Sequence, residues 1–296
     1  MGKFSYNEVQ IFLLLSNYLT KSKENILRIY YRMVKIIAVA LPKGGVGKTT
    51  TAVNIAIAFA LSEKRTLLID MDPSGACASS FGLSRDDVKN DIFKVLQFSS
   101  TFQRAIHKTE YPFLDFVPVQ QLSYVDEIRL GKILTNEQLL GNILRPEAFS
   151  YDYVIIDCPP YLVGTTNAAL MAADSVIIPI TPGQYALDAV KKILDRLKTI
   201  KKNYNRKLKV EGILLTIYEY NTKVSFATKK ELFKSYPNLI FNTSIPKNTT
   251  VGEASIHKKP VIVYDPTAKA SKAYINLSKE IIQSRDMFSI NSPLGD

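Results

Sequence analysis

Residues 35–56 read KIIAVALPKGGVGKTTTAVNIA. An apolar run over 36–41 ends at Pro42, three glycines (Gly44, Gly45 and Gly47) crowd around Val46, and Lys48 with the threonines 49–51 follows. Glycine reaches backbone angles that other residues avoid, so these three let consecutive N–H groups turn inward around an anion. If the apolar run is a strand and the chain is helical from Thr49 onward, the helix N-terminus adds its partial positive charge to that cradle. Lys48 then reaches the terminal phosphates of a nucleotide, and the Thr49 hydroxyl ligates Mg2+. The standard spacing G-x-x-x-x-G-K-[ST] asks for glycine where Pro42 stands, so this is a variant phosphate loop. A plain hairpin turn explains the glycines but gives no reason for Lys48 or for the threonine triplet. Nor does it explain Lys43, a second lysine placed just ahead of the glycines.

The chain has 296 residues, 46% hydrophobic and 22% charged, enough to bury a large core. No apolar run reaches the roughly 18 to 20 residues of a membrane span. Two cysteines, Cys77 and Cys158, are too few to make a metal cage alone and read as reduced thiols. His107 and His257 lie far apart, which gives little support to a histidine-based centre. The net charge of +11 favours an anionic partner, nucleic acid or acidic lipid. It is uneven: residues 191–234 hold thirteen Lys/Arg against four acids, and such an excess marks a binding face more than an ordinary solvated surface.

Short apolar runs at 65–70, 114–119, 153–157, 175–180 and 210–216 predict buried strands. Helical spacing over 50–62, 136–149, 186–203, 223–235 and 267–284 predicts helices between and after them. The fold class is therefore α/β, a mostly parallel twisted sheet of the P-loop NTPase type with helices on both faces. Its ligands are expected at the strand C-termini. The body spans 35–286, with a tail over 287–296. Residues 1–34 depart from the rhythm. They read either as docking helices or as upstream translation ahead of a start at Met33, and they lack the pattern of a signal peptide.

Four blocks together resemble the ParA/Soj-type partition ATPases, members of the deviant Walker A superfamily that also contains MinD. They are KGGVGKTTTAVNIA (43–56), LLIDMDPSG (67–75), YDYVIIDCPPYL (151–162) with NAALMAADSVIIPI (167–180), and TSIPKNTTVGEA (243–254) with KKPVIVYDPTAKASKAYINLSKEI (258–281). Their order and spacing cover nearly everything from 35 to 284.

The resemblance implies a cytoplasmic ATPase with a weak intrinsic rate, using ATP and Mg2+ and pairing as an ATP-dependent homodimer. Lys43 stands at the signature lysine, which reaches across the dimer interface to the partner's phosphates and offsets the charge of two nucleotides held face to face. Gly44, Gly45, Val46, Gly47, Lys48, Thr49 and Thr50 match the phosphate loop, and Pro246 and Asn248 match the loop that packs against adenine. Asp72 matches the residue that positions the attacking water, and Asp157 the Walker B aspartate on the Mg2+ side. Asp70 resembles the structural or Mg2+-side acid. The implied biology is nonspecific DNA binding, nucleoid association when ATP-bound, and hydrolysis stimulated by a ParB-like or other cargo adaptor during plasmid or chromosome segregation. DNA contacts fall to Lys223, Lys229, Lys230, Lys247, Lys258 and Lys259. This chain departs from the pattern at Asn221 and Thr250, where arginine is frequent, at Lys247, again for arginine, and at Ala76 for asparagine. The alternative is a MinD-like membrane-associated positioning ATPase. The tail SRDMFSINSPLGD is a poor basic amphipathic anchor, so no stable membrane association is expected.

Overall fold

In the computed structural model, which describes residues 34–290, the quoted stretch opens as strand β1 (Lys35–Val39) and resumes after the glycine loop as helix α1 (Lys48–Leu61). The expectations for residues 1–33 and 291–296 lie outside the described residues. β1 is apolar on both sides because both sides are covered. Ile36 and Ala38 belong to one core cluster, Ile37 and Val39 to the other, and all four are fully buried. A strand with water on neither face reads as a continuous apolar run.

The chain continues through β2 (Thr66–Asp70), α2 (Ala76–Ser79), α3 (Ile92–Leu96), α4 (Phe102–Ala105), β3 (His107–Lys108) and β4 (Leu114–Val117). Then come α5 (Tyr124–Ile133), α6 (Leu139–Glu147), β5 (Tyr153–Asp157), α7 (Thr165–Ala172), β6 (Ser175–Ile180) and α8 (Ala186–Asn203). The last elements are β7 (Lys209–Leu215), α9 (Lys223–Ser235), α10 (Thr249–Ile256), α11 (Val261–Tyr264) and α12 (Lys269–Ile290). The seven strands are ordered β3-β4-β2-β5-β1-β6-β7, and every neighbouring pair is parallel except β3 with β4.

All five further strands expected from the sequence form, and α8 and α9 begin and end at the expected residues. Helix α1 starts two residues before the expected 50, because Gly47 in a left-handed conformation caps it at Lys48. The expected helix at 136–149 is shorter, Leu139–Glu147, and the last helix runs on to Ile290.

Two packing features bear on function. α12 lies along α1, with the Thr51 and Tyr274 hydroxyls 3.4 Å apart in the core. The free side of β7 is covered by residues 239–247. Ile213 N–H donates to Leu239 O at 2.6 Å, Ile245 N–H to Leu215 O at 2.8 Å, and Lys247 N–H to Tyr218 O at 3.1 Å. Gly212 permits this approach: a Cβ there would lie 2.4 Å from the Phe241 ring.

Candidate active site

Strand register assembles the site. In the sheet β5 lies between β2 and β1, and Asp157, its last residue, sits beside Asp70 on one side and Val39 on the other. The loops leaving β1, β2 and β5 therefore converge at one edge of the sheet, outside the strand C-termini. Those loops carry the glycines, Asp72 and the Cys158-Pro159-Pro160 turn.

The phosphate loop has the backbone that its glycines anticipate. Gly45 (φ 70°) and Gly47 (φ 78°) are left-handed, a region where a side chain is strained. A Cβ built at Gly44, Gly45 or Gly47 meets no heavy atom within 4 Å, so the loop lines open space into which phosphate oxygens fit. Lys48, only 7% exposed, folds over the loop and donates from Nζ to the Lys43 carbonyl at 2.8 Å. Burial lowers its pKa, and the charges of Asp157, Asp72 and Cys158 oppose that shift. Val46 is buried, and its carbonyl accepts from Thr216 Oγ1 at 2.9 Å, which fastens the loop to the end of β7. The Thr50 carbonyl accepts from Asn54 Nδ2 at 2.9 Å, while Asn54 Oδ1 accepts from the N–H of Ile262 at 3.2 Å. Lys43 is half-buried, and its ammonium has no ion-pair partner among the described residues.

Three acids divide the remaining work. Asp157 is fully buried; Oδ2 accepts from Thr49 Oγ1 at 2.6 Å and from Cys77 Sγ at 3.4 Å, and Oδ1 has no partner. Desolvation, then Asp72's negative charge, pushes its carboxyl up to about 7 against the Thr49 and Cys77 hydrogen bonds and the charge of Lys48. A buried carboxylate oxygen without a donor, beside a threonine hydroxyl, is the donor set of a hard divalent cation. Thr49 and Asp157 thus fit Mg2+. Asp70 is also fully buried, but both of its oxygens are engaged. Oδ1 accepts from the Asp72 N–H and Oδ2 from the Cys77 N–H, each at 3.0 Å. Burial and the neighbouring Asp157 raise its pKa well above the carboxylate range. Those two bonds hold the turn that presents Asp72. Asp72 is half-buried, with Oδ1 accepting from the Ser74 N–H at 3.0 Å.

The sequence reading missed Cys77, Thr216 and Asn54. Cys77 completes a buried group with Asp70 and Asp157, their ligand atoms all within 4.8 Å of one another, and no pattern in the sequence signals it. Asn54 did leave a signal, as the one polar residue inside an apolar helical run at 52–60.

The outer residues are less concentrated. Pro246 and Asn248 line an open cleft of 1060 Å3 whose walls include none of residues 43–50. Asn248 Oδ1 is buried without a partner. Lys223, Lys229 and Lys230 share α9, whereas Lys247 pairs with Glu219 at 3.3 Å. Lys258 and Lys259 follow the far end of α10, about 12 Å along that helix from Lys247's end.

Known proteins give the same picture. A family model described as an AAA domain matches residues 34–210. The chromosome partitioning protein ParA of Myxococcus xanthus is 37% identical over 249 residues, 84% of this chain and 88% of that protein. The sporulation initiation inhibitor protein Soj of Bacillus subtilis is also 37% identical over 249 residues, covering 84% and 98%. Among solved structures, cobyrinic acid a,c-diamide synthase from Mycobacterium smegmatis with bound ADP and magnesium superposes with a TM-score of 0.73 at 27% identity, over 86% of this chain and 96% of that one. With sequence likeness over 249 residues and a fold and phosphate loop to match, this chain belongs to the ParA/Soj family of partition ATPases.

Proposed function

We propose that the chain binds MgATP in the variant phosphate loop, pairs with a second copy around two nucleotides, and hydrolyses ATP as part of a DNA-based segregation cycle. The observation that carries this is the Thr49–Asp157 bond at the end of β5, with Lys48 folded over the loop and Asp72 held in the adjacent turn. The glycine-loop N–H groups and Lys48 would hold the phosphates, and Thr49 and Asp157 the Mg2+. Bound there, Mg2+ neutralises charge that builds on the phosphate oxygens. Asp72 orients the attacking water; a loose phosphoryl transition state asks more for placement of the nucleophile than for a strong base. The Lys43 ammonium, with no ion-pair partner among the described residues, is available to a neighbouring subunit's phosphates. Pro246 and Asn248 take the adenine side.

DNA is the proposed track. Lys223, Lys229, Lys230, Lys247, Lys258 and Lys259 supply phosphate contacts, and a ParB-like or other cargo adaptor stimulates hydrolysis and release. Among the described residues no helix is long and apolar enough to cross a membrane. The test is phosphate release with and without duplex DNA, together with duplex affinity across a salt series. Binding that weakens steeply with salt, log K falling linearly with log salt, supports the reading. Salt-insensitive binding or none removes the DNA part.

A further inference from the structure

Helix α9 exposes something that duplex phosphates do not need. Lys223, Phe226, Lys230, Phe233 and Lys234 recur at spacings of three, four and seven and so share one helical face. Phe226 is 66% exposed and Phe233 37%. Just ahead of the helix, Tyr220 is 65% exposed and meets Tyr218 edge-on at 4.8 Å. Lys229 lies 5.6 Å from the Tyr218 ring centre and 5.8 Å from that of Phe233. Rings interleaved with cations form a platform on which unpaired bases stack while lysines take the phosphates; in a duplex the base faces are already covered by their neighbours.

The platform adjoins the 1060 Å3 cleft, which Tyr220 also lines. Asn221, Asn242 and Asn276 line it too, with Lys272. Amides both donate and accept, which suits the Watson–Crick edge of an unpaired base. Ser244, a further lining residue, is 7% exposed and its Oγ has no hydrogen-bond partner. A lipid surface would use the rings and lysines but not a pocket of amides. We propose that α9 and the walls of this cleft other than Pro246 and Asn248, which are left to the adenine, form a site for single-stranded nucleic acid, with bases stacked on Tyr220 and Phe226 and phosphates on Lys223, Lys230 and Lys272. The proposal rests on the reading of this face as a nucleic-acid surface.

The test uses the full chain with MgATP and fluorescence anisotropy on a labelled oligothymidylate of about 20 nucleotides and a duplex of about the same length. The native chain is expected to bind both. Tyr220→Ala with Phe226→Ala should weaken single-strand binding on the order of tenfold or more, and duplex binding less than about twofold. The swap Tyr220→Phe with Phe226→Tyr, which keeps both rings, should restore it, separating stacking from damage to the fold. Duplex binding without single-strand binding overturns this proposal and leaves the DNA reading standing, while binding of neither overturns both. Equal losses on the two ligands overturn it as well. So does a double-alanine loss confined to co-sedimentation with phosphatidylserine vesicles, which would make the face a lipid surface.

Discussion

Thr49 Oγ1 donates to Asp157 Oδ2 at 2.6 Å, joining the first turn of α1 to the last residue of β5. The two residues are 108 positions apart, and parallel pairing of β5 with β1 brings them together. This contact ties the phosphate loop to the carboxylate that would face the cation. Thr49→Ala should lower affinity for ATP in the presence of Mg2+ on the order of tenfold, the cost of a charge-assisted bond. Affinity measured in EDTA should change little. Titration of a fluorescent ATP analogue with and without Mg2+ separates the two.

The buried carboxyls give the ligand-free protein a pH dependence whose sign is fixed. Asp157 is pushed up to about 7, chiefly by desolvation, against an ordinary value of 3.8, and Asp70 moves the same way. The folded state therefore holds protons that the unfolded chain has released. Stability falls as pH rises from about 4 through about 7. Between about pH 5 and pH 8 the ligand-free Tm should drop by several degrees more in the native protein than in Asp157→Asn. MgATP should remove that extra drop in the native protein, since a bound cation favours the carboxylate. Thermal unfolding of both proteins at each pH, with and without MgATP, checks it.

Gly75 sets the turn that carries Asp72. Its φ is 67°, and a Cβ would lie 2.8 Å from the Val119 carbonyl, a backbone atom with little room to move. Gly75→Ala should cost about 1–3 kcal/mol in stability. It should reduce turnover more than ATP affinity, because it disturbs the water-positioning aspartate and leaves the phosphate loop intact. Denaturant melts combined with steady-state kinetics test the split.

Much of this was legible because buried parallel strands and a phosphate loop each have strong chemical requirements. Strands β1, β2, β5 and β6 are continuous apolar runs with aspartate closing two of them. Helix α8 shows a clear polar face, and both α8 and α9 appear at their expected bounds, although α9 buries Ser225 and Thr228 and exposes Val224 and Phe226. Helix α7 was invisible for the opposite reason: most of its residues are small and seven of eight are buried, so no amphipathic period remains. α5 is misleading in another way, since Tyr124, Val125 and Ile128 point outward and only Leu130 is buried. β3 has two residues and pairs antiparallel, too short for any periodicity. In the site, the loop and its acids follow from local motifs. The roles of Cys77 and Thr216 depend on contacts across 80 and 170 positions, which local pattern does not carry.

Each subunit is proposed to lend its neighbour Lys43 across paired nucleotides. Sedimentation velocity with MgATP tests it most directly, using Asp72→Ala to block turnover, alone and combined with Lys43→Ala. The single variant should sediment as a stable dimer and the double variant as a monomer that still binds ATP. A double variant that remains fully dimeric with MgATP would contradict the account.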